Sequence, residues 1–371
     1  MPAPIRELLR SPTGMRCLLG VGLLGILGTG AACSDTDPEP PTTEPVPATT
    51  EAVSAAADPV PSTGCEGLAS GSNGPGSNGP GSTEIVEQER FVEIDGDSRR
   101  YLVTAPGDTG DEPLPVVFDF HGLMEGADIH SRMTEYSALA LEEGFIVVFP
   151  EGSGDPLHWN VSSTGPNADL ELFDAVLAGL EDAACVDTAR VYATGLSNGA
   201  MFTSLLICER SEVLAAAVPV AGLLDPEPCT ASRSVPVRTY HGTADPILLF
   251  NGGIDAGAIP GLDADSSEPV TTTEIQLDGQ GYPEAVRAVA QRNGCAPDPT
   301  DQAVTDEVIL RRYDCPDGAD VEFWIIEGGG HSWPSSEFSV AIGEVVGPTT
   351  FDVDATREGW EFMSGYSIPQ D

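Results

Sequence analysis

The chain has no lysine. All 16 of its basic residues are arginine, against 59 Asp and Glu, and the formal net charge is −43 over 371 residues. Phosphate binding needs a positive face, so nucleic acid is excluded as a partner. The same negative field repels anionic surfaces and acidic substrates and favours solubility, which suits a neutral substrate. Long apolar runs are also missing. The run Cys17 to Leu27 falls well short of the ~20 residues needed to span a bilayer, and no later segment is apolar for long enough. No two cysteines stand at the CxxC spacing of a zinc site, so a metal is not expected. Repetition is scant: GSNGPGSNGPGS at 71–82 holds two copies of a short unit, too few for a solenoid.

The N-terminus is rich in signals. Arg6, Arg10 and Arg16 precede the apolar run, and small residues from Gly28 to Ala32 lead to Cys33. A basic start, a short apolar stretch and small residues read as a secretory signal peptide over residues 1–33. Gly30-Ala31-Ala32-Cys33 is similar to a bacterial lipobox, with Gly30 where Leu or Val is usual. That pattern points to lipidation of Cys33, while simple cleavage after Ala32 is the competing outcome. Residues 34–83 are rich in Pro, Thr, Ala, Glu and then Gly, without apolar periodicity, and read as a disordered linker. The folded domain is expected over 84–371.

Within it, Arg90 to Ile94 and Arg100 to Val103 flank an Asp95-Gly96 turn, the pattern of a β-hairpin. Apolar strands are expected at Val116–Phe120, Phe145–Phe149, Val191–Thr194, Ala215–Val220, Val235–Tyr240 and Val321–Ile326. Leu170, Phe173, Leu177 and Leu180 mark one face of a helix, and a second helix follows Ser197. Strands alternating with helices imply an α/β fold: a mainly parallel central sheet with helices on both faces. The Gly- and Asp-rich stretch Asn251 to Gly281 reads as an insertion.

Gly195-Leu196-Ser197-Asn198-Gly199 is a GxSxG pentapeptide between a strand and a helix, the setting of a nucleophile elbow. A Ser hydroxyl needs a base, and the base an orienting carboxylate. In chain order those should follow as acid and then His. Only His241 and His331 come after Ser197, and His331 sits in a Gly-rich loop just past a strand. Asp245, in His241-Gly242-Thr243-Ala244-Asp245, is the acid of choice over Asp255 and Asp263 in the insertion. His241 itself is expected to shape that loop. His121-Gly122 after the Val116–Phe120 strand leads into the loop that donates an oxyanion amide, from Leu123, beside that of Asn198. Trp159 and Trp333 are candidates to line the acyl pocket, though aromatic residues as often belong to a core. His130 and His158 stand at no spacing that assigns them a part.

Taken together, these residues resemble the extracellular esterases that include poly(3-hydroxybutyrate) depolymerases, feruloyl esterases and acetyl xylan esterases. The resemblance runs from about Gly64 to Phe362. It rests on Gly64-Cys65, Phe118 to Gly122, Arg190 to Met201, His241 to Asp245, Asn293-Gly294-Cys295 and Gly328 to Pro334. It implies an α/β-hydrolase fold, no cofactor, an acyl-enzyme, and the catalytic roles of Ser197, Asp245 and His331. Two departures, Ser335 where relatives carry Gly and Ala288-Val289-Ala290 where they tend to carry Trp, bear on substrate rather than catalysis. Cys65, Cys185, Cys208, Cys229, Cys295 and Cys315 make an even set suggesting three disulfides in an exported chain, with fifteen pairings open to six cysteines. The resemblance implies Cys65–Cys185, and the placement of the others suggests Cys208–Cys229 and Cys295–Cys315.

The leading expectation is a secreted esterase acting on a polyester or its oligomers. The alternative is removal of feruloyl or acetyl groups from plant polysaccharide. A peptidase of prolyl-oligopeptidase type would need a propeller that is missing here. A catalytically dead surface-binding lipoprotein would need a broken triad, and this one is whole. The only membrane contact expected is a lipid on Cys33. Lipidation predicts that the wild-type protein partitions into detergent while Cys33→Ser is shed to the medium; finding both free in the medium would mean cleavage at Ala32 alone.

Overall fold

The structure, a computed structural model, describes residues 58–65, 87–107, 112–259 and 274–370. The signal segment, Cys33, Asp263 and most of the linker lie outside the described residues.

Among the described residues, ten strands form one sheet: β1 Gln88–Ile94, β2 Asp97–Thr104, β3 Leu114–Phe120, β4 Ile146–Pro150, β5 Val186–Leu196, β6 Leu214–Val220, β7 Val237–Gly242, β8 Thr300–Ala303, β9 Val308–Arg312 and β10 Val321–Ile326. Their spatial order is β1-β2-β4-β3-β5-β6-β7-β10-β9-β8. The six central strands, from β4 to β10, pair in parallel. An antiparallel hairpin closes each edge. This is the α/β-hydrolase fold. The first hairpin turns where the sequence predicts: Asp95 and Gly96 take φ of 52° and 89°, which is what a two-residue turn of the I′ type demands.

Helices α1 Ala127–Thr134, α2 Tyr136–Glu143, α3 Ala168–Ala183, α4 Asn198–Glu209, α5 Tyr282–Arg292, α6 Glu337–Ala341, α7 Gly343–Val346 and α8 Ala355–Ser364 complete the fold. The period-2 alternation of the strands sends successive side chains to opposite faces. Val116, Phe118 and Phe120 join α3, α4 and α5 in one apolar cluster. Val117 joins Tyr136, Leu139, Phe362 and Met363 of α2 and α8 in the other. The helix foreseen at 170–180 is α3. Its start is fixed by Asn167, whose side chain accepts from the N–H groups of Asp169 and Leu170.

Among the described residues there are three disulfides: Cys65–Cys185, Cys208–Cys229 and Cys295–Cys315. The first goes with a correction to the expected linker, part of which is ordered against the body. Residues 58–65 dock on the start of β5, where Ser62 N–H donates to Val186 O at 2.9 Å and Val60 N–H to Asp187 Oδ1 at 2.9 Å. The apolar pattern missed this because the arm is held by backbone hydrogen bonds and a covalent bond rather than by a hydrophobic face.

Cys65–Cys185 closes a loop of 120 residues, so its loss should destabilise the domain. Replacing both cysteines by Ser is expected to cost about 2–5 kcal/mol in denaturant unfolding and to open the 58–65 arm to limited proteolysis. An unchanged midpoint would show the arm to be held without it.

Candidate active site

Four of the candidate residues follow the carboxyl ends of strands in the parallel part of the sheet. Leu123 lies past β3, Ser197 past β5, Asp245 past β7 and His331 past β10. In open α/β sheets, ligands gather at this end.

Ser197 is the hinge between β5 and α4. Its φ of 58° and ψ of −119° lie outside the ordinary regions, a strain typical of functional turns and tolerated only when the surroundings fix it. The surroundings do so through bare backbone. A Cβ on Gly199 would fall 2.0 Å from the Phe120 carbonyl oxygen, and one on Gly195 would fall 2.6 Å from it. Both flanking glycines are therefore needed for the turn to seat against the end of β3. Ser197 N–H donates to Val220 O at 3.0 Å, which ties the turn to β6 as well.

Asp245 and His331 are joined directly: His331 Nδ1 lies 2.7 Å from Asp245 Oδ2. Asp245 Oδ1 accepts the N–H groups of Ile247 and Leu248, each at 2.8 Å. The carboxylate is thus held from both sides and fixes the imidazole with Nδ1 as donor and Nε2 as the free acceptor. Burial pushes the Asp245 carboxyl up, but His331, His241 and the Ile247 N–H outweigh it and hold it below the usual carboxylate range. The two loops meet backbone to backbone, for a Cβ on Gly242 would fall 2.1 Å from Gly329 O. That contact accounts for both the His-Gly pair and the glycine run before His331. Among the described residues, no hydrogen bond joins Ser197 Oγ to His331, and β6 and β7 lie between their strands.

His241 shapes the acid loop as expected. Its Nε2 lies 2.8 Å from Leu248 O, and the ring stacks on Tyr282 at 3.6 Å between centroids. Burial pushes its pKa down to about 4, against the pull of Asp245, so it stays neutral beside the Asp245–His331 pair. Asp255 caps a short 3₁₀ turn at Ala256–Ala258 instead of approaching His331.

The amide accounting after β3 singles out one donor. Gly122 N–H goes to Glu125 Oε2 at 2.6 Å, Met124 N–H to Leu157 O at 2.9 Å and Glu125 N–H to Gly122 O at 3.3 Å. Leu123 N–H has no partner among the described residues. Asn198, the first residue of α4, likewise has its N–H uncommitted, as helix starts do. A Cβ on Gly122 would lie 3.6 Å from the Ser197 Cβ, so the turn carrying Leu123 flanks the serine. Two uncommitted amides near Ser197 are the kind of donors on which an oxyanion site would draw.

The tryptophans are corrected. Trp159 and Trp333 are each 1% exposed, so neither ring is open to a substrate. Trp159 stacks on Phe202 and donates its indole N–H to His121 O at 2.8 Å, while its backbone N–H grips Asn198 Oδ1 at 2.7 Å. Trp333 donates to Thr356 Oγ1 at 2.9 Å in the opposite core. Both indoles find their partners inside the protein, where a wide apolar ring is worth most.

The sequence reading passed over His130. It is fully buried between Asp119 and Glu125 behind the Leu123 turn. One signal was available: His130 and Thr134 stand at i and i+4, on one face of α1, and both reach Asp119.

The chain is similar to known esterases. The family model for esterase PHB depolymerase matches residues 99–272. Feruloyl esterase B of Piromyces equi is 26% identical over 280 residues, 73% of this chain but 46% of that protein. Feruloyl esterase D of Neurospora crassa is 25% identical over 292 residues, 74% of this chain and 84% of the relative. An acetyl xylan esterase from Aspergillus awamori superposes with a TM-score of 0.52 at 15% identity, over 76% of this chain and 99% of that one, a likeness of fold.

The Asp245 carboxyl is lower in the folded chain than in an unfolded one, near 3.9. Its ionised form therefore contributes stability above that pH, and the contribution is lost as pH falls through the folded value. The melting temperature of the wild type should exceed that of Asp245→Asn most at pH 5 and above, with the gap narrowing below about pH 4. A gap independent of pH would contradict the assigned ionisation. Over residues 99–272 this chain is thus similar to the esterase PHB depolymerase family, on a fold that places its candidate residues at the strand ends.

Proposed function

We propose that this chain is a serine carboxylic ester hydrolase working through an acyl-enzyme, with Ser197 as nucleophile, His331 as base and Asp245 as the acid that orients it. The observation that carries the reading is the 2.7 Å contact between His331 and a carboxylate already fixed by two backbone amides. It lies two strands away from a serine held in a left-handed turn. On this reading, His331 Nε2 takes the Ser197 proton as Oγ attacks the ester carbonyl. The carbonyl oxygen becomes an oxyanion and is met by the Leu123 and Asn198 amides. Collapse of the tetrahedral intermediate breaks the C–O bond, and His331 returns the proton to the leaving alcohol. Water, deprotonated by His331, then attacks the acyl-enzyme in the same way and frees the carboxylic acid and Ser197. Asp245 supports the imidazolium in both halves; His241 Nε2 stands 3.4 Å from the same Asp245 oxygen and gives its closer contact, 2.8 Å, to Leu248 O.

The substrate proposed first is a poly(3-hydroxybutyrate)-type polyester or its oligomers, in keeping with the family that the 99–272 match describes. Feruloyl or acetyl esters of plant polysaccharide are the second reading, favoured by the names of the relatives. Three disulfides suit an oxidising compartment and hence secretion. A lipid on Cys33 would hold the enzyme at the outer face of the membrane, where it would meet a polymer too large to enter the cell.

Purified wild type and Ser197→Ala, assayed on hydroxybutyrate oligomers, methyl ferulate and acetylated xylan, test both levels. Wild type should hydrolyse at least one of the three, with the oligomers preferred in kcat/KM, and Ser197→Ala should lose about a millionfold in kcat. A variant retaining a tenth of wild-type activity would remove Ser197 from the mechanism, and a preference for methyl ferulate or acetylated xylan would move the substrate to the second reading.

A further inference from the structure

Behind the turn that carries Leu123 lies a buried ion cluster that the ester chemistry does not itself use. The His130 ring is wholly buried and has a carboxylate at each nitrogen: Nε2 is 2.8 Å from Asp119 Oδ1, and Nδ1 is 3.2 Å from Glu125 Oε1. The second oxygen of Asp119 accepts from Thr134 Oγ1 at 2.7 Å. The second oxygen of Glu125 accepts the Gly122 N–H at 2.6 Å. A ring nitrogen facing a carboxylate acts as a donor, so an imidazole between two of them carries protons on both nitrogens. Burial opposes that charge, and Asp119 and Glu125 outweigh it, raising the pKa to about 10.

Three charges buried together are a poor means of stabilising a core, because desolvation offsets most of their attraction. They are an effective means of fixing geometry. The turn they fix needs it: Met124 sits at φ 66° with its side chain 43% exposed, so packing of that side chain does little to hold the strained backbone. With Glu125 pinned, Gly122 N–H is consumed, and the neighbouring Leu123 N–H is the amide left over. With Glu125 released, the Gly122 amide loses its acceptor and nothing decides which of the two faces Ser197.

We propose that His130 is a positioning residue for the oxyanion turn: from α1, anchored on Asp119 of β3 and acting through Glu125, it sets the Gly122–Glu125 backbone so that the Leu123 amide is the donor beside Ser197. The inference rests on the reading of Leu123 as an oxyanion donor. A preorganised amide acts on the transition state and hardly on the bound ester, so its loss has a signature of its own.

The experiment compares wild type with His130→Gln, Glu125→Gln and Glu125→Ala on a soluble p-nitrophenyl ester. An alkylboronic acid, whose adduct on Ser197 places an oxygen where the oxyanion forms, serves as the probe, and thermal unfolding is followed in parallel. The expected result for His130→Gln is a kcat about 10- to 100-fold lower with KM changed less than about twofold, and weaker boronate binding by a matching factor. Glu125→Gln keeps an acceptor for Gly122 and should lose less than Glu125→Ala, which keeps none. If His130→Gln does not fold, the ranking of the two Glu125 variants decides the matter. A lower melting temperature with kcat per folded molecule and boronate affinity at wild-type values would make the cluster structural only and overturn the proposal. Ser197→Ala in the same assay separates the two levels: if it stays active, the ester-hydrolase reading itself fails, whereas an inactive Ser197→Ala beside unaffected His130 and Glu125 variants sinks only the positioning role.

Discussion

The approach of two bare backbones to the Phe120 carbonyl is the contact on which the rest of this end of the sheet depends. Gly195 and Gly199 both close on that oxygen, leaving no room for a Cβ at either position. Only then can β5 run directly into α4 with Ser197 at the crest and the first amides of α4 facing open space. A second approach of the same kind, Gly242 against Gly329, sets Asp245 and His331 in register. Side-chain chemistry is thus built on backbone contacts, which are stiff and specific because they have no rotamers to adjust. The strain at Ser197 is held by these approaches together with the Val220 hydrogen bond.

Much of the fold was legible for physical reasons that can be named. The buried parallel strands read as short apolar runs because helices cover both their faces, and the first hairpin was fixed by residues suited to positive φ. The second hairpin escaped notice because β8 is Thr300-Asp301-Gln302-Ala303, exposed throughout and without apolar alternation. Helices α1 and α2 were missed because Glu135, at φ 56°, breaks them into two short pieces, each with too few turns to display a period. At the site, the candidate residues were picked out by their motifs together with the chain order that their chemistry would require. The tryptophans were misjudged because nearness to a motif in sequence says nothing about which way a ring turns. His130 escaped because its partners come from a strand, a loop and a helix that only the fold assembles.

The lack of lysine also takes on structural sense. Arginine offers a planar fork that can satisfy more than one carboxylate, and this chain uses it so. Arg311 reaches both Asp278 and Asp301, Arg100 meets Glu89, Asp128 and Glu151, and Arg238 and Arg312 share Glu322. Arg311 and Glu322 are buried within these networks, which distribute a scarce positive charge through a strongly acidic molecule. The buried pair Arg99–Asp169 does something different, joining β2 to the start of α3 with both partners nearly out of solvent.

The docking of the 58–65 arm on β5 has a directional meaning. The arm meets β5 at Val186 to Thr188, and the tail at Ile368 bonds to Ala189 O, so both ends of the described chain gather at one pole. Ser197 is at the other end of the same strand, about 30 Å away at ~3.3 Å per residue. The 58–65 arm is therefore attached at the pole of the domain remote from Ser197. Attachment through residues 58–65 or through the Ile368 end would leave the Ser197 end of the sheet facing away from the support.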